Sequence, residues 1–142
     1  MRISMTNEMM REIIMDHYSS PRYKKTPTNL GDFKSIYMDS TSCIDKITLY
    51  VKFDKDVVKE AFFNGIGCAI STASTDIMCE LIIGKTKEEV EYILKQYLLM
   101  IDEKPFDESV LDEAIVFINT FKQPARIKCA TIGWNGLSEL IK

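Results

Sequence analysis

Residues 46–64, KITLYVKFDKDVVKEAFFN, decide the fold. Over 46–53 the apolar residues Ile47, Leu49, Val51 and Phe53 alternate with polar or exposed positions, the period-two signature of a strand with one buried face. Asp54-Lys55-Asp56 then makes a hairpin turn, and residues 57–64 are again rich in β-branched and aromatic side chains. Upstream, residues 33–39 (FKSIYMD) read the same way. Three short strands with adjacent connections predict an antiparallel meander, because parallel neighbours need crossovers of a dozen or more residues.

Outside these strands the period becomes helical. After Gly65-Ile66-Gly67, residues 68–83 (CAISTASTDIMCELII) place Ile70, Ala73, Ile77 and Leu81 along one face, with Gly84 as the C-cap. This helix begins at a cysteine. Thr86 followed by Glu89 reads as a capping box for a third helix through Met100. Residues 107–120 predict a fourth helix closed by Pro124, and residues 127–142 a C-terminal helix loosened by Gly133 and Gly136. At the other end, residues 5–18 predict an amphipathic helix capped by Thr6 or Asn7 and stopped by Ser19-Ser20-Pro21. Residues 22–32, with Pro27 and Gly31, read as a surface loop. The expected architecture is α+β: one domain over residues 1–142, a small three-stranded antiparallel sheet with helices packed on one face.

Composition excludes several classes of function. The chain has 142 residues, 46% hydrophobic and 27% charged, with a net charge of −3. That is the balance of a globular protein, and it offers no basic field for nucleic acid. No apolar run approaches the roughly 20 residues that span a bilayer, and MRISMTNEMMREII lacks the features of a cleavable signal. A cytoplasmic location is expected, with no membrane or nucleic-acid partner.

In a reducing compartment the four cysteines, Cys43, Cys68, Cys79 and Cys129, are expected as thiols rather than disulfides. Cys79 falls mid-helix among Ile77, Met78 and Leu81 and reads as core. The others fall at junctions: Cys43 with Asp45 before the best strand, Cys68 after a Gly-x-Gly turn, and Cys129 after Pro124 at a presumed helix start. A helix N-terminus favours thiolate over thiol. Three thiolates and one carboxylate complete a tetrahedral set for zinc, and the same soft donors suit iron–sulfur units. The spacing lacks a C-x-x-C pair, so plain packing of buried cysteines stands beside metal binding as a reading of the pattern. Closed structural zinc sites more often use cysteine and histidine alone, so Asp45 suggests a site built to exchange ligands.

Four blocks, IIMDHYSSPRY, SCIDKITLYVK, GIGCAISTASTDIM and PARIKCATIGW, resemble in order and spacing the NifU N-terminal or IscU-like family of iron–sulfur cluster assembly proteins. Within it the chain looks most like the SufU branch. Lys128 stands where IscU-type scaffolds carry a histidine, and 60 residues separate Cys68 from Cys129, including an extra segment around residues 95–115. The family's usual C-G-D is here Cys43-Ile44-Asp45, which removes a glycine's backbone freedom but neither ligand.

The resemblance implies a zinc-dependent sulfurtransferase with zinc held by Cys43, Asp45, Cys68 and Cys129. Its implied partner is a SufS-like cysteine desulfurase: a histidine from the partner displaces Cys43, which accepts persulfide sulfur and passes it to other iron–sulfur cluster assembly proteins. The alternative implied by the same family is a scaffold on which a [2Fe–2S] cluster or iron is held by the same residues. Arg126 reads either as a guard of the site or as a solvated surface residue. His17, the sole histidine, reads as a packing or capping residue at a helix end rather than a ligand.

Overall fold

The computed structural model describes residues 5–40 and 44–142. Strands β1 (Lys34–Asp39), β2 (Lys46–Asp54) and β3 (Val57–Ile66) form an antiparallel sheet in the order β1-β2-β3. Ile47, Leu49 and Val51 are buried as their alternation requires. Phe53 departs from it. The register slips beside Lys52 and Phe53, which pair with Glu60 and Val58, so Lys59 is an extra residue in β3. This bulge lets Val58 and Ala61 both face the core despite their odd spacing. Phe53 is left half-buried, with the ammonium groups of Lys87 and Lys34 5.0 and 5.6 Å from its ring centre.

Helices α1 (Asn7–Ser19), α2 (Ala69–Ile82), α3 (Lys87–Ile101) and α4 (Pro124–Leu140) complete the fold. Thr6 is the cap of α1, its hydroxyl accepting from the Met9 amide at 3.1 Å. The Thr86–Glu89 capping box forms in both directions, at 2.9 and 3.2 Å. Gly84 takes φ +87° just past α2, and its amide donates to the Val58 carbonyl at 2.8 Å, stitching the helix end to β3. Every residue of α2 from Ser71 to Cys79 is buried, so this helix is hemmed in on all sides and packs against α1, α4 and β3.

The expected fourth α-helix over residues 107–120 is instead a run of 3₁₀ turns, Glu108–Val110, Asp112–Phe117 and Thr120–Lys122. Asp112 has φ +46°, which an α-helix cannot accommodate. The buried residues Leu111, Ala114 and Phe117 recur every third position, the 3₁₀ period. Pro124 does not close a helix but opens α4, where its fixed φ and missing amide suit the first position.

Gly133 and Gly136 do not interrupt α4. A Cβ on Gly133 would lie 2.5 Å from Thr75 Oγ1, and one on Gly136 would lie 3.0 Å from Met38 Cγ. The two glycines let α4 lie close against α2 and β1. A polar knot fixes the same contact: Ser74 and Tyr97 hydroxyls each donate to the Ala130 carbonyl at 2.7 Å, and the Trp134 indole donates to Ser74 at 3.0 Å. The Tyr97 and Trp134 rings stack at 3.9 Å. Among the described residues no helix is long and apolar enough to cross a membrane.

Candidate metal centre

Asp45 precedes β2 and is fully buried. Its Oδ1 accepts the Cys68 backbone amide at 3.0 Å and the Ser71 hydroxyl at 2.9 Å. Cys68 is the N-cap of α2, its sulfur 3.5 Å from the Ser71 amide that donates to it. Cys129 arrives from α4, buried one turn before the glycine that brings α4 against α2. One ligand atom from each of Asp45, Cys68 and Cys129 lies within 4.8 Å of the other two. Residues separated by 23 and 61 positions in sequence thus share the space of one coordination sphere.

The expectation that Cys129 opens a helix is corrected. It is the sixth residue of α4, beyond the first turn where exposed amides stabilise a thiolate. Its thiol is pushed well above the usual range, first by burial and then by the neighbouring Cys68 and Asp45. Burial and its acidic neighbours thus disfavour the Cys129 thiolate, and a bound divalent cation would reverse that balance. Two sulfurs and an oxygen fit zinc, and suit iron as well.

Cys43, the remaining residue of the expected ligand set, lies outside the described residues. Ile44 beside it is 65% exposed. Cys79 is buried in the core, where burial pushes its thiol up. Arg126 and Lys128 are exposed. His17 is not among this set; it is buried and bonded to Asp76 and Glu113.

Sequence reading missed Ser71, whose hydroxyl organises Asp45. The available signal was its place three residues after Cys68, where a first-turn side chain turns back toward the cap. It also missed Asp76, a carboxylate at the middle of α2 between Thr75 and Ile77 that is buried and therefore needs a partner.

Residues 9–130 match the NifU-like N terminal domain family. The zinc-dependent sulfurtransferase SufU of Bacillus subtilis is 39% identical over 132 residues, covering 92% of this chain and 88% of its own. The iron–sulfur cluster assembly scaffold protein IscU of Streptococcus pyogenes serotype M1 is 35% identical over 144 residues, covering 100% and 88%. In structure, a SufU from Fervidobacterium islandicum, described as an iron–sulfur cluster assembly scaffold of the SUF system, superposes with a TM-score of 0.85 at 38% identity over 92% of this chain and 95% of its own. With that extent of match, the chain belongs to the NifU-like N-terminal domain family, whose SufU and IscU members it resembles along nearly its whole length.

Proposed function

We propose that this protein is a zinc-dependent sulfur acceptor in iron–sulfur cluster assembly, working with a SufS-like cysteine desulfurase. The observation that carries the reading is the meeting of Asp45, Cys68 and Cys129 within 4.8 Å. Cys43, two residues from Asp45, is the fourth ligand and the sulfur acceptor. Zinc, when bound, holds the thiols as thiolates at neutral pH. Asp45 and Cys68 anchor the set at the start of α2, and Cys129 closes it from α4.

The Cys43 thiolate attacks the outer sulfur of the desulfurase persulfide. A new sulfur–sulfur bond forms on Cys43, the old one breaks, and the desulfurase cysteine leaves as thiolate. Such attack needs both thiolate character and access. Ile44, exposed beside Cys43, adds apolar surface at the point where a partner must approach.

The test is elemental analysis of the purified protein together with a desulfurase assay. Zinc at about one ion per chain and faster sulfide release with wild type but not with Cys43→Ala are expected. Full acceleration by Cys43→Ala overturns the reading. The full-length similarity to a relative named IscU supports a second reading, a [2Fe–2S] or iron scaffold at the same residues. Anaerobic reconstitution of a labile cluster, with no stimulation of the desulfurase by the zinc form, favours that scaffold.

A further inference from the structure

We infer that the groove between α3 and the 3₁₀ segment docks a basic, apolar peptide segment of a partner protein, at the end of α2 opposite the metal centre. The inference stands independently of the metal-binding reading.

The groove has a volume of about 940 Å³, at the upper end of the range for ligand pockets and roomy enough for several side chains. Met5, Leu81, Ile93, Phe106, Val110 and Ile115 give it an apolar surface. All of these but the buried Ile93 are only half-buried, so the fold leaves part of their carbon uncovered. Tyr92 adds a ring that is 46% exposed. The two walls are tied to each other: the Tyr92 hydroxyl donates to Asp107 Oδ2 at 2.8 Å, and the Asp107 amide donates to Gln96 Oε1 at 2.7 Å. A groove braced in this way spares its ligand the cost of ordering it.

Charge identifies the occupant. Glu88 and Glu89 line the groove from α3 and Asp107 and Asp112 from the facing segment, against the one ammonium of Lys85 among the described lining residues. The preference for acids at a helix start accounts for Glu88 and Glu89. It does not account for two carboxylates that meet them from another element. Hydrogen bonds from Thr86 hold Glu89 below its ordinary pKa, and bonds from Ser109 and Tyr92 do the same for Asp107, so both are charged at neutral pH. A rim of this sign repels nucleic acid and anionic lipid and attracts Lys or Arg side chains, which can also lie over the Tyr92 ring. The apolar surface between the charges suits Leu- or Phe-like side chains of the same segment.

The groove is placed to hold a partner without blocking the centre. Leu81 follows Cys68 by 13 residues along α2, about 20 Å of helix. Phe106, Asp107 and Val110 belong to the extra segment around residues 95–115, which supplies none of the three residues gathered at the centre.

Fluorescence anisotropy on the full chain tests this with labelled short peptides of one length: Leu and Phe interspersed with Lys, the same with every Lys replaced by Glu, and the same with every Leu and Phe replaced by Ser. The Lys peptide is expected to bind, more weakly as salt rises and equally with and without zinc, and the other two are not. Glu88→Gln combined with Asp112→Asn is expected to weaken binding about tenfold, and Tyr92→Ala by at least as much, with thermal melts confirming that both variants fold. No binding of the Lys peptide, equal binding of the Ser peptide, or unchanged binding in both variants overturns the inference. Binding that appears only when residues 1–4 are deleted assigns the groove to the chain's own N-terminal segment, and a dimer that dissociates in Tyr92→Ala assigns it to a second copy. Either result overturns partner docking. A protein that binds the Lys peptide but no zinc overturns the metal-binding reading alone.

Discussion

Two polar clusters meet along α2, one at its N-cap and one two turns further on, and they differ in where the positive charge comes from. At the cap, Asp45, Cys68 and Cys129 are all acids. Further along, Asp76 accepts from His17 Nδ1 at 2.6 Å and from the Arg22 and Tyr23 amides at 2.9 and 2.8 Å, while His17 Nε2 donates to Glu113 at 2.9 Å. Distance alone does not separate them, because ligand atoms of His17, Glu80 and Glu113 also fall within 4.8 Å of one another. Chemistry does. Burial on its own disfavours charge on His17, but the bonds to Asp76 and Glu113 outweigh it and raise its pKa above the ordinary value, which favours an imidazolium as an internal cation. The first cluster groups two thiols with a carboxylate and offers their ligand atoms to an ion from outside. The second carries its own and serves as a clamp joining α1, the loop after it, α2 and the 3₁₀ segment.

The strongest way to break this contrast is to remove a thiol. Cys129→Ser is expected to weaken zinc binding by more than the roughly 100-fold attributed to loss of a supporting contact. It should also abolish most of the stabilisation that excess zinc confers, which reaches about 4 kcal/mol at a thousandfold excess over the dissociation constant. Zinc competition and thermal melts with and without metal measure both, and wild-type affinity in this variant would end the distinction.

A smaller effect is expected from the clamp. His17→Ala leaves Asp76 a buried carboxylate without its cation, for a loss of about 3–5 kcal/mol in urea unfolding. Zinc affinity should stay within a few-fold of wild type. A parallel collapse of zinc binding would show that the two clusters act as one unit.

The smallest effect is in pH. Because the folded pKa of His17 lies above its ordinary 6.5, the clamp's contribution is complete below that value and fades as pH rises through the folded pKa. Urea midpoints of wild type and His17→Gln, followed upward from pH 6, should converge on the alkaline side. A gap that stays constant would mean that His17 is held neutral.

The strands illustrate what a local pattern can carry. Ile47, Leu49 and Val51 point to the core because a strand alternates its faces, and Thr86 with Glu89 caps α3 through atoms three residues apart. The spacing that makes Phe53 a fourth inward residue fails at the bulge, since nothing within β2 records the extra residue in its partner. Likewise Leu111, Ala114 and Phe117 look helical in sequence, and only the backbone at Asp112 shows the tighter winding.

The sequence by itself determined the meander, the four helices that form, the start of α2 at Cys68, and the family through its four blocks. Those features depend on side-chain period and capping within a few residues, which chain order preserves. Only the tertiary structure decided that Gly133 and Gly136 are contact points, that His17 meets Asp76 and Glu113, and that Ser71 holds Asp45. His17 finds its two partners 59 and 96 residues away. The reason is physical: a buried polar group must be satisfied by whatever packing brings to it, and that neighbour is a property of the folded chain rather than of any local stretch.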